Sequence, residues 1–206
     1  MKNQRDNIAG ILLAGGQSRR MGGGDKTLRD LHGRPLLDHV IERIAPQLSD
    51  LALNANGNAE RFAKWQLPVE PDSISDYPGP LVGILAGLDW AAREPAKFTH
   101  ILSIPTDTPF IPYDLVAGLC RALEMSPAPL ACAASRARLH PVVGLWPLTL
   151  RDQLRRAIET NTRKVDSWTA RYGISVAHFD DPSGDPFFNI NTEDDLAAAK
   201  RRLDRL

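Results

Sequence analysis

The run LAGGQSRRMGGGDK, from Leu13 to Lys26, constrains this chain more than any other feature, because it follows the apolar stretch Ile11-Leu12-Leu13 directly. Ile11 to Ala14 suit a buried strand, and Gly15, Gly16, Gly22, Gly23 and Gly24 can adopt positive φ and let a backbone approach a ligand. The segment reads as a strand opening into a loop that can aim several N–H groups at one anion. Ser18, Arg19, Arg20 and Lys26 add a hydroxyl and permanent positive charge, which suits a triphosphate. A lone glycine cluster is more often a turn with solvated basic neighbours. Here the span 35–44 that follows has the apolar spacing of a helix packed on a sheet, through Leu36, Leu37, Val40, Ile41 and Ile44, and the combination favours a phosphate loop. It is neither a GxxxxGK loop followed by Ser or Thr nor a GxGxxG opening a helix.

The chain has 206 residues, 43% hydrophobic and 24% charged, which fits one α/β domain over 1–206. Lys plus Arg equals Asp plus Glu at 25 each, so any anion site is local and a general nucleic-acid binder is disfavoured. The start, MKNQRDN, lacks the apolar centre of a signal peptide, and no apolar run approaches the roughly 20 residues that span a bilayer. A cytoplasmic protein without a membrane partner is expected. Cys120 and Cys132 sit among apolar neighbours and read as small core residues rather than a disulfide or metal pair. The five histidines show no metal-ligand spacing.

Strand-like and helix-like stretches alternate: a strand over 8–13 and a helix over 35–44, a strand over 51–55 and a short helix over 59–65, a strand over 67–69 and a helix over 80–92, a strand over 98–104 and a helix over 112–124. Such alternation predicts a mainly parallel sheet covered by helices on both faces. A strand over 130–134 follows. The last third departs from the rule, with a strand over 140–146, helices over 148–159 and 165–172, a strand over 174–179 and a helix over 192–203. A mixed sheet with one antiparallel strand is expected. Thr192 followed by Asp195 is a capping-box variant at the start of the last helix, and the sixteen prolines fall mostly at junctions.

In open α/β sheets ligands sit outside the carboxyl ends of the strands, so motifs that follow strands should converge. The second strand delivers Asn54 and Asn56, the stretch after Val69 delivers Asp72, and the strand ending at Ile104 delivers Thr106-Asp107-Thr108. Asp107, between Pro105 and Pro109, offers the hard oxygen that Mg²⁺ requires beside phosphates, although an aspartate before a proline alone is more often a turn cap. Asn189 and Asn191, on alternate positions of an extended segment, point the same way and can face the cleft, whereas one such asparagine alone is a turn former. Asp72 and Asn54 are candidates for reading the base and ribose of a nucleotide. The segment from Tyr77 to Gly83 turns into a helix, where Gly83 and Gly87 serve either an anion at the helix start or close packing. Arg163 and Lys164 can reach a substrate phosphate or remain a solvated basic pair. No role follows for His140.

The pattern LAGGxSRRMGGxDK resembles the signature of the molybdenum cofactor guanylyltransferases, within a nucleotidyltransferase superfamily whose sugar-nucleotide members carry LAGGxGTR in the same place. LNAN at 53–56, DSISDYPGPLVGI at 72–84, PTDTPFIP at 105–112, HPVVGLW at 140–146 and NINTEDDL at 189–196 extend the resemblance over nearly the whole chain. It implies a three-layer, Rossmann-like α/β nucleotidyltransferase fold with a mostly parallel, mixed sheet. It implies transfer of GMP from GTP to the phosphate of molybdopterin, with Mg²⁺ as cofactor and pyrophosphate released. The residues so implicated are Leu13, Ala14, Gly15, Gly16, Lys26, Asn54, Asp72 and Asp107 for the nucleotide, Lys26, Asp107 and Arg20 for catalysis, and Asp107 for the metal. Asn189, Asn191 and Arg163 fall on the molybdopterin side. Partner proteins would be those that deliver the cofactor and the molybdoenzymes that accept it. Gln17 and Thr27 read as loop positions free to vary. A cytidylyl-transferring or sugar-nucleotide-forming relative, and a nucleotide-binding protein without catalysis, remain the alternatives.

Overall fold

The computed structural model describes residues 7–15, 25–75 and 79–205. In chain order these hold β1 (Ile8–Leu13), a small hairpin of β2 (Asp30–Leu31) and β3 (Arg34–Pro35), α1 (Leu36–Ile44), β4 (Asp50–Asn54) and β5 (Val69–Glu70). Then come α2 (Pro80–Ala91), β6 (His100–Pro105), α3 (Leu115–Glu124), β7 (Ala131–Ser135), β8 (Arg138–Pro147), α4 (Arg151–Glu159), α5 (Val165–Thr169), β9 (Ser175–His178) and α6 (Glu193–Leu203). The main sheet runs β5-β4-β1-β6-β8-β7-β9. β1 pairs in parallel with β4 and β6, and β8 runs antiparallel to β6 and β7. This is the mixed sheet the sequence pattern predicts.

The alternation of side chains along each strand divides the core into two layers. Ile8 and Leu12 of β1 pack with Leu37, Val40 and Ile44 of α1 and with Leu115 and Leu119 of α3. Ala9 and Ile11 face the opposite way, toward Leu81, Ile84, Leu85 and Leu88 of α2 and Leu154 and Ile158 of α4. The result is helices, sheet, helices. Each fully buried Leu or Ile contributes about 1.5–3 kcal/mol of transfer free energy, so the two layers secure the strand ends that carry the polar residues.

Apart from Asp89 near its end, helix α2 is apolar all round, and it is buried along most of its length. A Cβ on Gly87 would stand 2.7 Å from Ile11 Cγ2, and one on Gly83 would stand 2.3 Å from Asn54 Oδ1. Both glycines therefore serve close packing of α2 on β1 and β4. Tyr77 and Pro78 lie outside the described residues.

Some boundaries differ from the sequence expectation for local reasons. Residues Ala59–Trp65 form a 3₁₀ helix, capped where Asn58 accepts the Glu60 N–H at 2.8 Å. α3 starts at Leu115 because Pro112 to Asp114 are still turning. The hairpin at 30–35 was not expected. His32 and Gly33 have φ of 55° and 76°, the left-handed pair that a two-residue hairpin turn needs, and Asp30 Oδ1 accepts the Gly33 N–H. The capping box at Thr192 and Asp195 is present as expected.

The parallel strands β1, β4 and β6 deliver their carboxyl ends to one edge. Because β8 is antiparallel to β6, with Ser103 opposite Gly144, its first residues reach the same edge. Neither cysteine forms a disulfide, and burial, with the charge of Asp166 adding to it, pushes the Cys132 thiol up to about 11. No described helix is long and apolar enough to cross a membrane.

Candidate active site

Lys26 opens a short 3₁₀ turn, Lys26–Leu28, whose cap is Asp25. Its Nζ donates to Asp107 Oδ2 at 2.5 Å and to Asn191 Oδ1 at 2.7 Å. Three chain segments, from residues 26, 107 and 191, thus meet at one ammonium. The pair is largely shielded, with Lys26 and Asp107 side chains 12% and 19% exposed. An ammonium has three donors, so one remains for a further acceptor. The second oxygen of the carboxylate, Asp107 Oδ1, is buried with no hydrogen-bond partner among the described residues. A buried carboxylate oxygen without a donor is costly unless a cation reaches it.

The backbone around this centre is fixed by the sheet. Ala14 N–H donates to Asn54 O, and Leu13 O accepts from the Thr106 hydroxyl. The donor of Ala14 is therefore spent inside the fold, and N–H groups for an anion have to come from Gly15 onward. Gly15 is exposed, and a Cβ there would meet nothing within 4 Å. It does not take positive φ, so its contribution is a bare backbone rather than a left-handed turn. Gly16 and Arg20 lie outside the described residues.

Asp72 forms a second cluster on the β4 side. Its Oδ1 accepts from Asn54 Nδ2 at 2.9 Å and its Oδ2 from Asn56 Nδ2 at 2.7 Å, while its own N–H donates to Asn56 Oδ1. Asn54 is 4% exposed and gives its amide hydrogens to Glu70 O and Asp72. It orients Asp72 from beneath instead of facing the cleft itself. Each Asp72 oxygen keeps a lone pair for another donor.

Asn191 joins the Lys26 centre, but Asn189 is exposed and forms no hydrogen bond seen among the described residues. The N–H groups of Asn191 and Thr192 both donate to Asp195 Oδ2 at 2.9 Å. Burial pushes the Asp195 carboxyl up. The Asn191 and Thr192 hydrogen bonds and the charge of Lys26 outweigh it and hold the group below the usual carboxylate range. Arg163 donates to Asn161 Oδ1, and its carbonyl lies 3.8 Å from where a Cβ on Gly79 would stand, beside the start of α2. It is not brought to Lys26 by any contact seen here.

A family model described as the MobA-like NTP transferase domain matches residues 10–176. A molybdenum cofactor guanylyltransferase from Bradyrhizobium sp. is 50% identical over 195 residues, covering 94% of this chain and 92% of that protein. This chain belongs to the molybdenum cofactor guanylyltransferase family. Another such enzyme, from Mesorhizobium japonicum, is 47% identical over 97% of each chain. The crystal structure of molybdopterin-guanine dinucleotide biosynthesis protein A from Archaeoglobus fulgidus shares the fold, with a TM-score of 0.78 and 24% identity, covering 96% of this chain and all of that one.

In this guanylyltransferase-family chain the structure adds residues that the sequence reading passed over. Thr27 is not a freely varying loop position: it is 1% exposed, and its hydroxyl lies 2.8 Å from that of Thr106. Arg61 bridges the end of the glycine loop to the β4 side, donating to Asp25 Oδ2 at 2.9 Å and to the carbonyls of Asn56 and Asn58. Nothing in AERFAKW marks Arg61 as a clamp, since its partners lie elsewhere in the chain. Among the described residues no group of three or more His, Cys, Asp or Glu could hold a metal ion.

Proposed function

We propose that this chain transfers GMP from GTP to the phosphate of molybdopterin, releasing pyrophosphate and forming the guanine dinucleotide form of the cofactor. One observation carries the reading. Lys26, Asp107 and Asn191 meet at the carboxyl edge of the sheet, with one oxygen of Asp107 buried and unpaired among the described residues.

That oxygen fits Mg²⁺, a hard cation that takes one or two carboxylates and completes its octahedron with water and phosphate oxygens. Asp107 would hold it, and the bound ion would supply charge neutralisation across the phosphates. Lys26 turns its remaining donor toward a phosphate oxygen and carries charge that offsets the developing negative charge at the leaving pyrophosphate. Asn191 accepts from Lys26 and keeps the ammonium oriented. Asp72, held by Asn54 and Asn56, presents its lone pairs to the N1 and N2 donors of guanine. Arg20, Gly16, Asn189 and Arg163 complete the assignment, the last two on the molybdopterin side. Transfer then depends on alignment of two phosphates and charge stabilisation, and no side-chain nucleophile is required.

The test is pyrophosphate release with GTP, Mg²⁺ and molybdopterin, compared with CTP and ATP in place of GTP. Turnover with GTP well above the other two is expected. Equal or greater turnover with CTP would move the chain to cytidylyl transfer, and no release with any of them would leave only nucleotide binding.

A further inference from the structure

His140 opens the HPVVGLW block and makes no contact with the Lys26 centre. Its Nε2 lies 2.8 Å from Ser135 Oγ, and that hydroxyl lies 2.7 Å from Asp185 Oδ1, which also accepts the Phe187 N–H at 2.9 Å. Proton counting gives this chain a direction. A hydroxyl has one hydrogen and an ionised carboxylate has none. Burial pushes the Asp185 carboxyl up, but the Ser135 hydroxyl, the Phe187 N–H and the charges of His140 and Arg136 outweigh it and hold the group below the usual range. Ser135 therefore donates to Asp185 and accepts from His140. The ring must carry its hydrogen on Nε2.

The same ring packs on Phe187, with centroids 4.7 Å apart. Asp185 and Phe187 begin the segment that ends at Asn191. Its far end is tied to the reaction centre twice, by the Ile190 N–H donating to Asp107 O at 3.0 Å and by Asn191 accepting from Lys26. Arg202 grips the near end from α6, donating to Asp185 O and to Asp181 Oδ2. Ser135 is buried, and its hydroxyl is engaged on both sides, so this polar link favours one arrangement of the segment over its neighbours.

We propose that His140 is a positioning residue for nucleotidyl transfer, acting through Ser135 and Asp185 to fix the segment 185–191 in the register that sets Asn191 against Lys26. The proposal rests on reading the Lys26, Asp107 and Asn191 centre as the transfer site. It gives the β7–β8 hairpin a functional part that touches neither substrate.

The experiment combines steady-state kinetics on GTP, Mg²⁺ and molybdopterin with ¹⁵N NMR of the histidine rings in the free protein. Ser135→Ala removes the middle link with little change of volume, His140→Ala removes the first donor, and His140→Gln keeps an N–H₂ near the Nε2 position. The NMR spectrum of the wild type should show His140 protonated on Nε2. Ser135→Ala and His140→Ala should lower kcat about tenfold, with KM for GTP within about twofold and thermal midpoints within a few degrees. His140→Gln should recover most of kcat. Wild-type kcat in Ser135→Ala, or His140→Gln as slow as His140→Ala, would overturn the proposal. Should His140→Ala fail to fold, Ser135→Ala decides. A ring protonated on Nδ1 sinks the relay alone, whereas a wild-type protein that releases no pyrophosphate sinks the transfer reading beneath it.

Discussion

The ammonium of Lys26 rests 2.5 Å from one carboxylate oxygen of Asp107, eighty-one residues away, while the other oxygen of the same carboxylate is buried without a donor among the described residues. One side of Asp107 is thus neutralised by the protein, and the other is the position that the proposed function gives to a cation. Coulombic attraction in this shielded site exceeds its value in water several-fold, so the pair holds the glycine loop's end against β6 before any ligand arrives.

Asp107→Asn keeps the shape and removes the charge. Pyrophosphate release should fall by about 10³-fold or more, equivalent to about 4 kcal/mol of barrier, with the thermal midpoint moved by only a few degrees. Calorimetric titration with Mg²⁺ and GTP should show the nucleotide still binding but without its metal dependence. Substantial turnover at saturating Mg²⁺ would contradict the assignment of Asp107.

Gly83 and Gly87 lie one helical turn apart and should respond differently to the same change. Alanine at Gly87 drives a methyl into Ile11, and at Gly83 into Asn54 Oδ1 and Leu13 Cδ2. Overpacking of this kind costs about 1–3 kcal/mol, so both variants should unfold at lower denaturant concentration. Only Gly83→Ala should also weaken GTP, because it displaces the amide that orients Asp72. Equal GTP affinities in the two variants would refute that link.

Asp72→Ala removes the acceptor shared by Asn54 and Asn56. GTP affinity should drop about tenfold, about 1.4 kcal/mol, and the preference for GTP over ATP should shrink. Unchanged affinity and preference, measured by competition binding, would remove Asp72 from base recognition.

Stability should fall as the solution is acidified from neutrality. Burial holds His100 below the ordinary histidine value of 6.5. Burial also lowers His140, with Asp185 opposing and Arg138 adding to the effect. A depressed folded-state value means that the unfolded chain takes up the proton first. The stability from both rings is therefore complete above about 6.5 and is lost as pH drops through their folded-state values. Thermal midpoints measured from pH 8 to 5 should be flat above 7 and decline below 6.5, less steeply in His100→Gln. A flat profile throughout, or an unchanged slope in the variant, would contradict this account.

The residue pattern alone was enough to mark out the strand entering the glycine loop, the alternation of strands and helices, a mixed sheet with an antiparallel strand in it, though not which strand, and the capping box of α6. Each follows from local information: periodicity reports which side of an element is apolar, and a cap involves residues three apart. Lys26 and Asp107 stood out as candidates only in combination, because a glycine cluster or an aspartate before a proline is alone more often a turn. The tertiary structure decided the partners. Asn54 beneath Asp72, Thr27 against Thr106, Arg61 on Asp25 and Ser135 between His140 and Asp185 join residues that no spacing rule connects. A sequence reveals what a side chain can donate or accept, but which distant group lies within about 3 Å of it is set only when the strands take their register and the helices close over them.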